Sequence, residues 1–320
     1  MACLIHPVSV VIPTRNRSDV LVRTLESLAR QTSQPSEIII VDASGDLAKS
    51  KTEIEQPICD LSSKVIWFPA SQAGAASQRN EGVLKAQQPF IAFIDDDILF
   101  EPDCFQLLWN ALQANPKHGG VDAMITNQHY HSPGRASRLI FQLMAGRNRS
   151  SYAGCVLGPA VNLLPEDREN LPEVVPVEWL NTTCTLYRRE ALPSPPFDSV
   201  FTGYSMMEDL TLSLRVGKKW KLANARTARI FHDSQPGSHK SDPVALAEME
   251  LVNRYYVMTQ VMGNRRFRDF VRLFLWEAFQ LSACAVASQS RPTLPALWRG
   301  KWRGLWLICQ GGGHFTGLKQ

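Results

Sequence analysis

A chain of 320 residues, 44% apolar and 20% charged, can bury one large core or a domain with an appendage. Its net charge of +4 is too small to signal nucleic acid, and no repeat or low-complexity tract points to a fibrous or disordered protein. Seven scattered cysteines without a C-x-x-C pair suggest neither a zinc site nor a disulfide framework, and a reducing cytoplasm fits them best.

At the start of the chain, MACLIHPVSVVIPTRN meets proline and arginine too early for a signal peptide. VSVVI (8–12) is a short apolar strand, followed by a helix with Leu21, Leu25 and Leu28 at helical spacing and Ser18 as its N-cap. EIIIV (37–41) and KVIWF (64–68) are the next strands. A helix from about Ala76 to Gln87, the strand FIAFI (90–94), a helix over 102–115 and a strand over 121–126 complete the first 127 residues. Near-continuous apolar strands alternating with helices predict parallel βαβ units, whose ligands sit at the carboxyl ends of the strands.

Residues 128–175, rich in Gly, Pro and Arg, read as an irregular insertion. A strand (177–188), a helix over EDLTLSLR (208–215) and a strand ending at His232 follow, and everything after Asp242 reads as helical. The expected division is a catalytic domain over 1–240, with halves 1–127 and 176–240 around the insertion, and a helical region over 241–320.

The strand ends carry the chemistry. Asp95, Asp96 and Asp97 close FIAFI, and clustered carboxylates resist ionising together unless something positive lies among them. Side chains two apart on an extended backbone share a face, so Asp95 and Asp97 can converge on Mg²⁺ or Mn²⁺; the alternative is a solvated acidic turn. Arg79 and Asn80 open a helix after AGAAS and suit a diphosphate. Asp42 is placed for a ribose hydroxyl, while Arg15 and Arg17 could equally be surface charges. Asp209 and Glu208 could be a general base and its neighbour, or acids complementing a helix dipole. No dinucleotide fingerprint or phosphate-binding loop occurs.

Taken in order, IPTRNR (12–17), VDAS (41–44), GAASQRNEG (74–82), FIDDD (93–97), WLNTTCTLYRRE (179–190), EDLTLSLR (208–215) and the IFH ending at His232 resemble the family 2 glycosyltransferases. The resemblance implies the GT-A fold: an α/β, Rossmann-like, mostly parallel sheet flanked by helices, here with a C-terminal helical extension. It implies transfer of a sugar from a UDP or dTDP sugar to a hydroxyl acceptor with inversion, in polysaccharide or glycolipid synthesis. It places Pro13, Thr14, Arg15, Asn16, Asp42, Arg79, Asn80, Asp95 and Asp96 around the nucleotide-sugar. Asp95, Asp97 and His232 become ligands of a divalent cation (Mn²⁺ or Mg²⁺), and Asp209 the base with Glu208 beside it. Trp179, Thr182 and Thr183 fall at the acceptor; Thr182-Thr183 replaces the family's small residues, and Thr211 replaces a second acid. A non-catalytic nucleotide-sugar binder or membrane scaffold, and a sugar-phosphate nucleotidyltransferase, are the alternatives. A binder has no use for a base, and a nucleotidyltransferase would show a Gly-rich basic loop where PTRNR stands.

From Gly263 onward nine Lys/Arg face two acids. Trp298, Trp302 and Trp306 recur every four residues with Leu305 and Cys309, a pattern for a helix in a membrane interface. The expected setting is therefore the inner face of the cell membrane, with a sugar or lipid-linked acceptor and no nucleic acid. The competing expectation has these helices packing on the catalytic domain, with the tryptophans filling that seam.

Overall fold

The computed structural model describes residues 3–234 and 242–310. In chain order the elements are β1 (Leu4–Thr14), α1 (Ser18–Ala29), β2 (Ser33–Asp42), α2 (Leu47–Cys59), β3 (Lys64–Pro69), α3 (Ala75–Lys85) and β4 (Phe90–Ile94). Next come β5 (Ile98–Phe100), α4 (Cys104–Gln113), β6 (His118–Ile125), α5 (Arg135–Ala145), β7 (Val156–Leu157), β8 (Val161–Asn162), β9 (Val174–Val177) and β10 (Cys184–Arg188). The chain continues through α6 (Glu208–Val216), β11 (Lys221–His232), α7 (Pro243–Tyr256), α8 (Phe267–Val286) and α9 (Leu294–Cys309). It forms two compact units: Met1–Tyr130 with Leu164–Gln235, and His131–Leu163 with Pro236–Gln320.

The first unit is built on a mixed sheet in the order β3-β2-β1-β4-β10-β6-β11-β5, with β9 on β11. The β3-β2-β1-β4 half is parallel. Its apolar runs are buried on both faces, Val10, Val11, Ile12 and Ile38 to Val41 having no exposed surface, because helices cover both sides. The strand order reverses at β1, which has β2 on one side and β4 on the other. That opens a crevice at their carboxyl ends. The antiparallel β10 inserts between β4 and β6, pairing Cys184 with Ile94, and so delivers residues 179–183 to the same end.

The structure differs from the sequence expectations in four local ways. Ser18 is not an N-cap: the helix already starts there, and its hydroxyl bonds Glu53. α2, absent from the sequence reading, has a weak apolar face anchored by Ile54. The strand expected over 177–188 is two strands, because 178–183 turns between β11's edge and the sheet centre. The stretch expected to be irregular contains α5, whose Met144 is fully buried.

In the second unit, α9 packs on α7 through glycines rather than tryptophans. A Cβ at Gly300 would lie 2.4 Å from Val244 O, so only glycine permits this approach. Buried Lys301 binds Glu250 and Glu277 at 2.7 Å each, and Arg254 binds Glu250 at 2.7 Å, tying α7, α8 and α9 together. Trp298, Trp302 and Trp306 remain 58–64% exposed, so they do not fill the seam between α9 and α7. No helix among the described residues is long and apolar enough to cross a membrane.

Candidate active site

After β4 the chain turns at Asp96 and Asp97 before entering β5, so the three acids meet different partners. Asp96 points inward, where Thr14 Oγ1 donates to it at 2.7 Å and Arg17 Nη1 lies 3.0 Å away. Asp97 takes Arg17 Nη2 at 2.7 Å and has His232 Nε2 at 3.1 Å. Asp95 accepts from Arg79 Nη2 at 2.6 Å. The turn is fixed from outside: Thr24 Oγ1 sits 2.8 Å from Asp96 O, and Asp233 N donates to Asp97 O at 2.8 Å.

Two guanidiniums thus lie among the three carboxylates, and they supply positive charge from within the chain. The acids respond differently. Burial pushes Asp96 up to about 7, against the pull of Arg17 and Thr14. Burial would raise Asp97 too, but the bonds from His232 and Arg17 outweigh it and hold this carboxyl well below the usual range.

Arg79 also reaches across the crevice. Its Nη1 bonds Glu208 Oε1 at 3.2 Å, so one buried guanidinium joins the aspartate cluster to the first turn of α6. That turn is entered through Met207, held at φ 73°, an unfavourable value for a non-glycine residue that aims Glu208 and Asp209. Gly74, at φ 147° before α3, bridges Gly203 in the loop leading to α6; a side chain there would meet Gly203 N at 3.0 Å. Burial, with Asp209 adding repulsion, pushes Glu208 up to about 8. Burial pushes Asp209 up to about 6, restrained by the bond its own Oδ1 accepts from Leu210 N at 2.7 Å.

The remaining expected residues divide by role. Pro13 and Thr14 are buried at the end of β1, whereas Arg15 and Asn16 are exposed beyond it. Asn16 Oδ1 accepts from Gly45 N at 3.0 Å, closing the β1 loop onto the β2 loop. Asp42 accepts from Ser44 N through Oδ1, while its buried Oδ2 has no hydrogen-bond partner. The Asn80 amide clamps both backbone groups of Phe197. Trp179, Thr182 and Thr183 are buried, and Thr183 O accepts from Asp95 N at 3.0 Å. Sequence reasoning missed the assignment of Arg17 to the acids, of Gln78 to the carbonyls of Thr14 and Val41, and of Gln128, whose amide lies 3.1 Å from His232 Nδ1. Arg17 alone carried a signal, its place directly after the first strand.

Asp95, Asp97 and His232 each bring one ligand atom within 4.8 Å of the others. Two carboxylate oxygens and an imidazole suit a hard divalent cation with open positions. Gln128 Nε2 lies 3.1 Å from the ring's far nitrogen, Nδ1, and steadies the orientation of the imidazole. The residues present therefore fit Mn²⁺ or Mg²⁺.

A family model for glycosyl transferase family 2 matches residues 9–192, more than half of the chain. The chain belongs to this family. An uncharacterized glycosyltransferase of Haemophilus influenzae is 34% identical over 108 residues, 34% of this chain and 35% of that protein. The match thus spans about a third of that curated relative's length. Among solved structures, GalNAc-T7 with UDP, GalNAc and Mn²⁺ superposes with a TM-score of 0.58 at 14% identity, covering 97% of this chain and 58% of that one. A mannosyltransferase from Pyrobaculum calidifontis, in complex with GDP-Man and Mn²⁺, gives 0.53 at 12% identity over 94% and 87%. These likenesses carry the fold, which is GT-A.

In this family 2 member Arg79 is also a structural keystone. Arg79→Met keeps the volume but leaves Asp95 and Glu208 facing each other without a cation. Breaking a buried pair costs about 3–5 kcal/mol. Glu208 can take up a proton and Asp95 is partly exposed, so the lower end, about 3 kcal/mol, is expected in urea unfolding. A loss below about 1 kcal/mol would mean that the guanidinium is not what balances these acids.

Proposed function

We propose that this protein transfers a sugar from a nucleoside-diphosphate sugar of UDP or dTDP type to a hydroxyl of a sugar or lipid-linked acceptor. The transfer inverts the anomeric carbon and serves polysaccharide or glycolipid synthesis at the inner face of the cell membrane. The observation that carries this reading is Arg79 linking Asp95, in the cation-fitting group, to Glu208, the neighbour of Asp209. Acids suited to the leaving diphosphate and an acid suited to the acceptor therefore stand on the two sides of one guanidinium.

Each residue then has a task. The orphaned Asp42 Oδ2 can accept from a ribose hydroxyl at the end of β2. Asp95, Asp97 and His232 would hold the cation, which when bound supplies Lewis-acid neutralisation of the diphosphate. Asp209 takes the proton from the acceptor hydroxyl while that oxygen forms its bond to the anomeric carbon. The bond from this carbon to the phosphate oxygen breaks with its electron pair leaving on the diphosphate. Burial raises both acids, Glu208 further than Asp209, which favours Asp209 as the ionised partner.

A thermal-shift panel of UDP-, dTDP- and GDP-sugars, with and without Mn²⁺, tests donor and cation together. UDP- or dTDP-sugars should raise Tm, and more so with Mn²⁺. Stabilisation by GDP-sugars alone would overturn the donor class, and shifts indifferent to Mn²⁺ and EDTA would overturn the cation.

A further inference from the structure

The exposed tryptophans of α9 are not accounted for by the transferase site. At about 100° per residue, Trp298, Trp302, Trp306 and Leu305 fall within one arc of roughly 100°. Arg299 lies about 20° and Arg303 about 60° beyond one edge of this arc, Lys301 about 40° beyond the other edge, and Gly300 and Gly304 on the far side. The far side is the one sealed against α7 and the buried acids. Gly300 and Gly304 thus let α9 dock by its small side, and the bulky ridge stays in solvent with its three indoles 58–64% exposed. Val244, Trp298, Arg299, Trp302 and Arg303 line an almost wholly apolar recess of about 410 Å³ beside this ridge.

We propose that this ridge is a membrane-docking surface for anionic phospholipid, with the indoles in the interface, Arg299 and Arg303 on the headgroup phosphates, and the recess receiving part of an acyl chain. Three features favour lipid over a second copy of the chain. The ridge is one helix, about 24 Å long and ~10 Å wide, or about 240 Å², where a stable dimer buries about 800 Å² per partner. Of the nine basic residues from Gly263 onward, Arg299 and Arg303 stand beside the ridge, and a self-pairing surface would have to bring these like charges together where an anionic leaflet neutralises them. Finally, Trp with flanking Arg around an apolar stripe is the composition of interfacial helices. This inference deepens the membrane setting proposed above. Its test requires no turnover, so its failure would leave the transferase reading standing.

The full-length protein is floated with vesicles of phosphatidylcholine mixed with phosphatidylglycerol, and with phosphatidylcholine alone. Wild type should float with the anionic vesicles, less so in high salt, and its tryptophan emission should shift to the blue. The combined W298S, W302S and W306S variant should lose at least about tenfold in bound fraction. R299E with R303E should lose the preference for anionic lipid. The three indoles are 58–64% exposed, so Tm should change little in the triple variant, whereas Arg303 Nε lies 3.6 Å from Glu248 of α7 and R299E alone is therefore read beside the double variant; if the triple variant melts early, the wild-type emission shift and W302S alone decide. The proposal is overturned if wild type stays at the bottom of the gradient or if the tryptophan variants float unchanged. It is equally overturned if light scattering shows a wild-type dimer that the triple variant dissociates, which would assign the ridge to a second copy.

Discussion

Asp209→Asn should lower kcat by about 10²–10⁴-fold while leaving donor binding in place, because a positioned base contributes that much and acts on the acceptor. The pH profile gives a second signature. Asp209 is pushed up to about 6 by burial, so its base form is present above that pH and lost below it. Wild-type turnover should therefore fall as pH drops through about 6, and the Asn variant should lack this limb. Stability should move the other way. A carboxyl whose pKa is raised by folding favours the folded state when protonated, and its contribution declines as pH rises from the ordinary carboxylate range through about 6. At pH 8 the Asn variant should thus melt no earlier than wild type. Calorimetric titration with donor beside steady-state kinetics separates the possibilities: a loss of donor affinity equal to the loss in rate would make Asp209 a binding residue.

Asp97→Asn should abolish transfer, by about 10³-fold or more, since neutralising the leaving diphosphate is worth several kcal/mol. The substitution keeps the size and removes the charge that Arg17 and His232 both address. Arg17 retains Asp96 at 3.0 Å, so the fold should persist with a loss of about 1–3 kcal/mol. The independent readout is Mn²⁺ binding followed by electron paramagnetic resonance, which should be lost in the variant and competed by EDTA in wild type. If EDTA leaves both donor binding and transfer unchanged, the acids with Arg17 and Arg79 form a structural ion cluster instead.

Much of the frame was legible along the chain. VSVVI, EIIIV and FIAFI are continuous apolar runs, and a strand can carry such a run only when both faces are covered, so they announced a parallel sheet with its polar strand ends gathered at one edge. FIDDD announced a charge problem because adjacent carboxylates repel whatever the fold. Helices with weak or disguised periodicity were missed: α2 anchors little more than Ile54, and α5 is flanked by Arg, Gly and Pro that read as loop.

The sequence by itself determined the alternation of strands and helices, the edge at which the site lies, and the family order of its motifs. These follow from local period and spacing. Tertiary structure alone decided which charges meet. Arg17 lies 80 residues from Asp97, Gln128 lies 104 from His232, and Arg79 lies 129 from Glu208. No local pattern encodes such pairings, because each depends on which strand lies beside which in the sheet. The same holds for α9, where spacing put three tryptophans on one face but could not tell whether that face would be buried. Gly300 and Gly304 on the opposite side decided it, since only a side without side chains could come so close to α7.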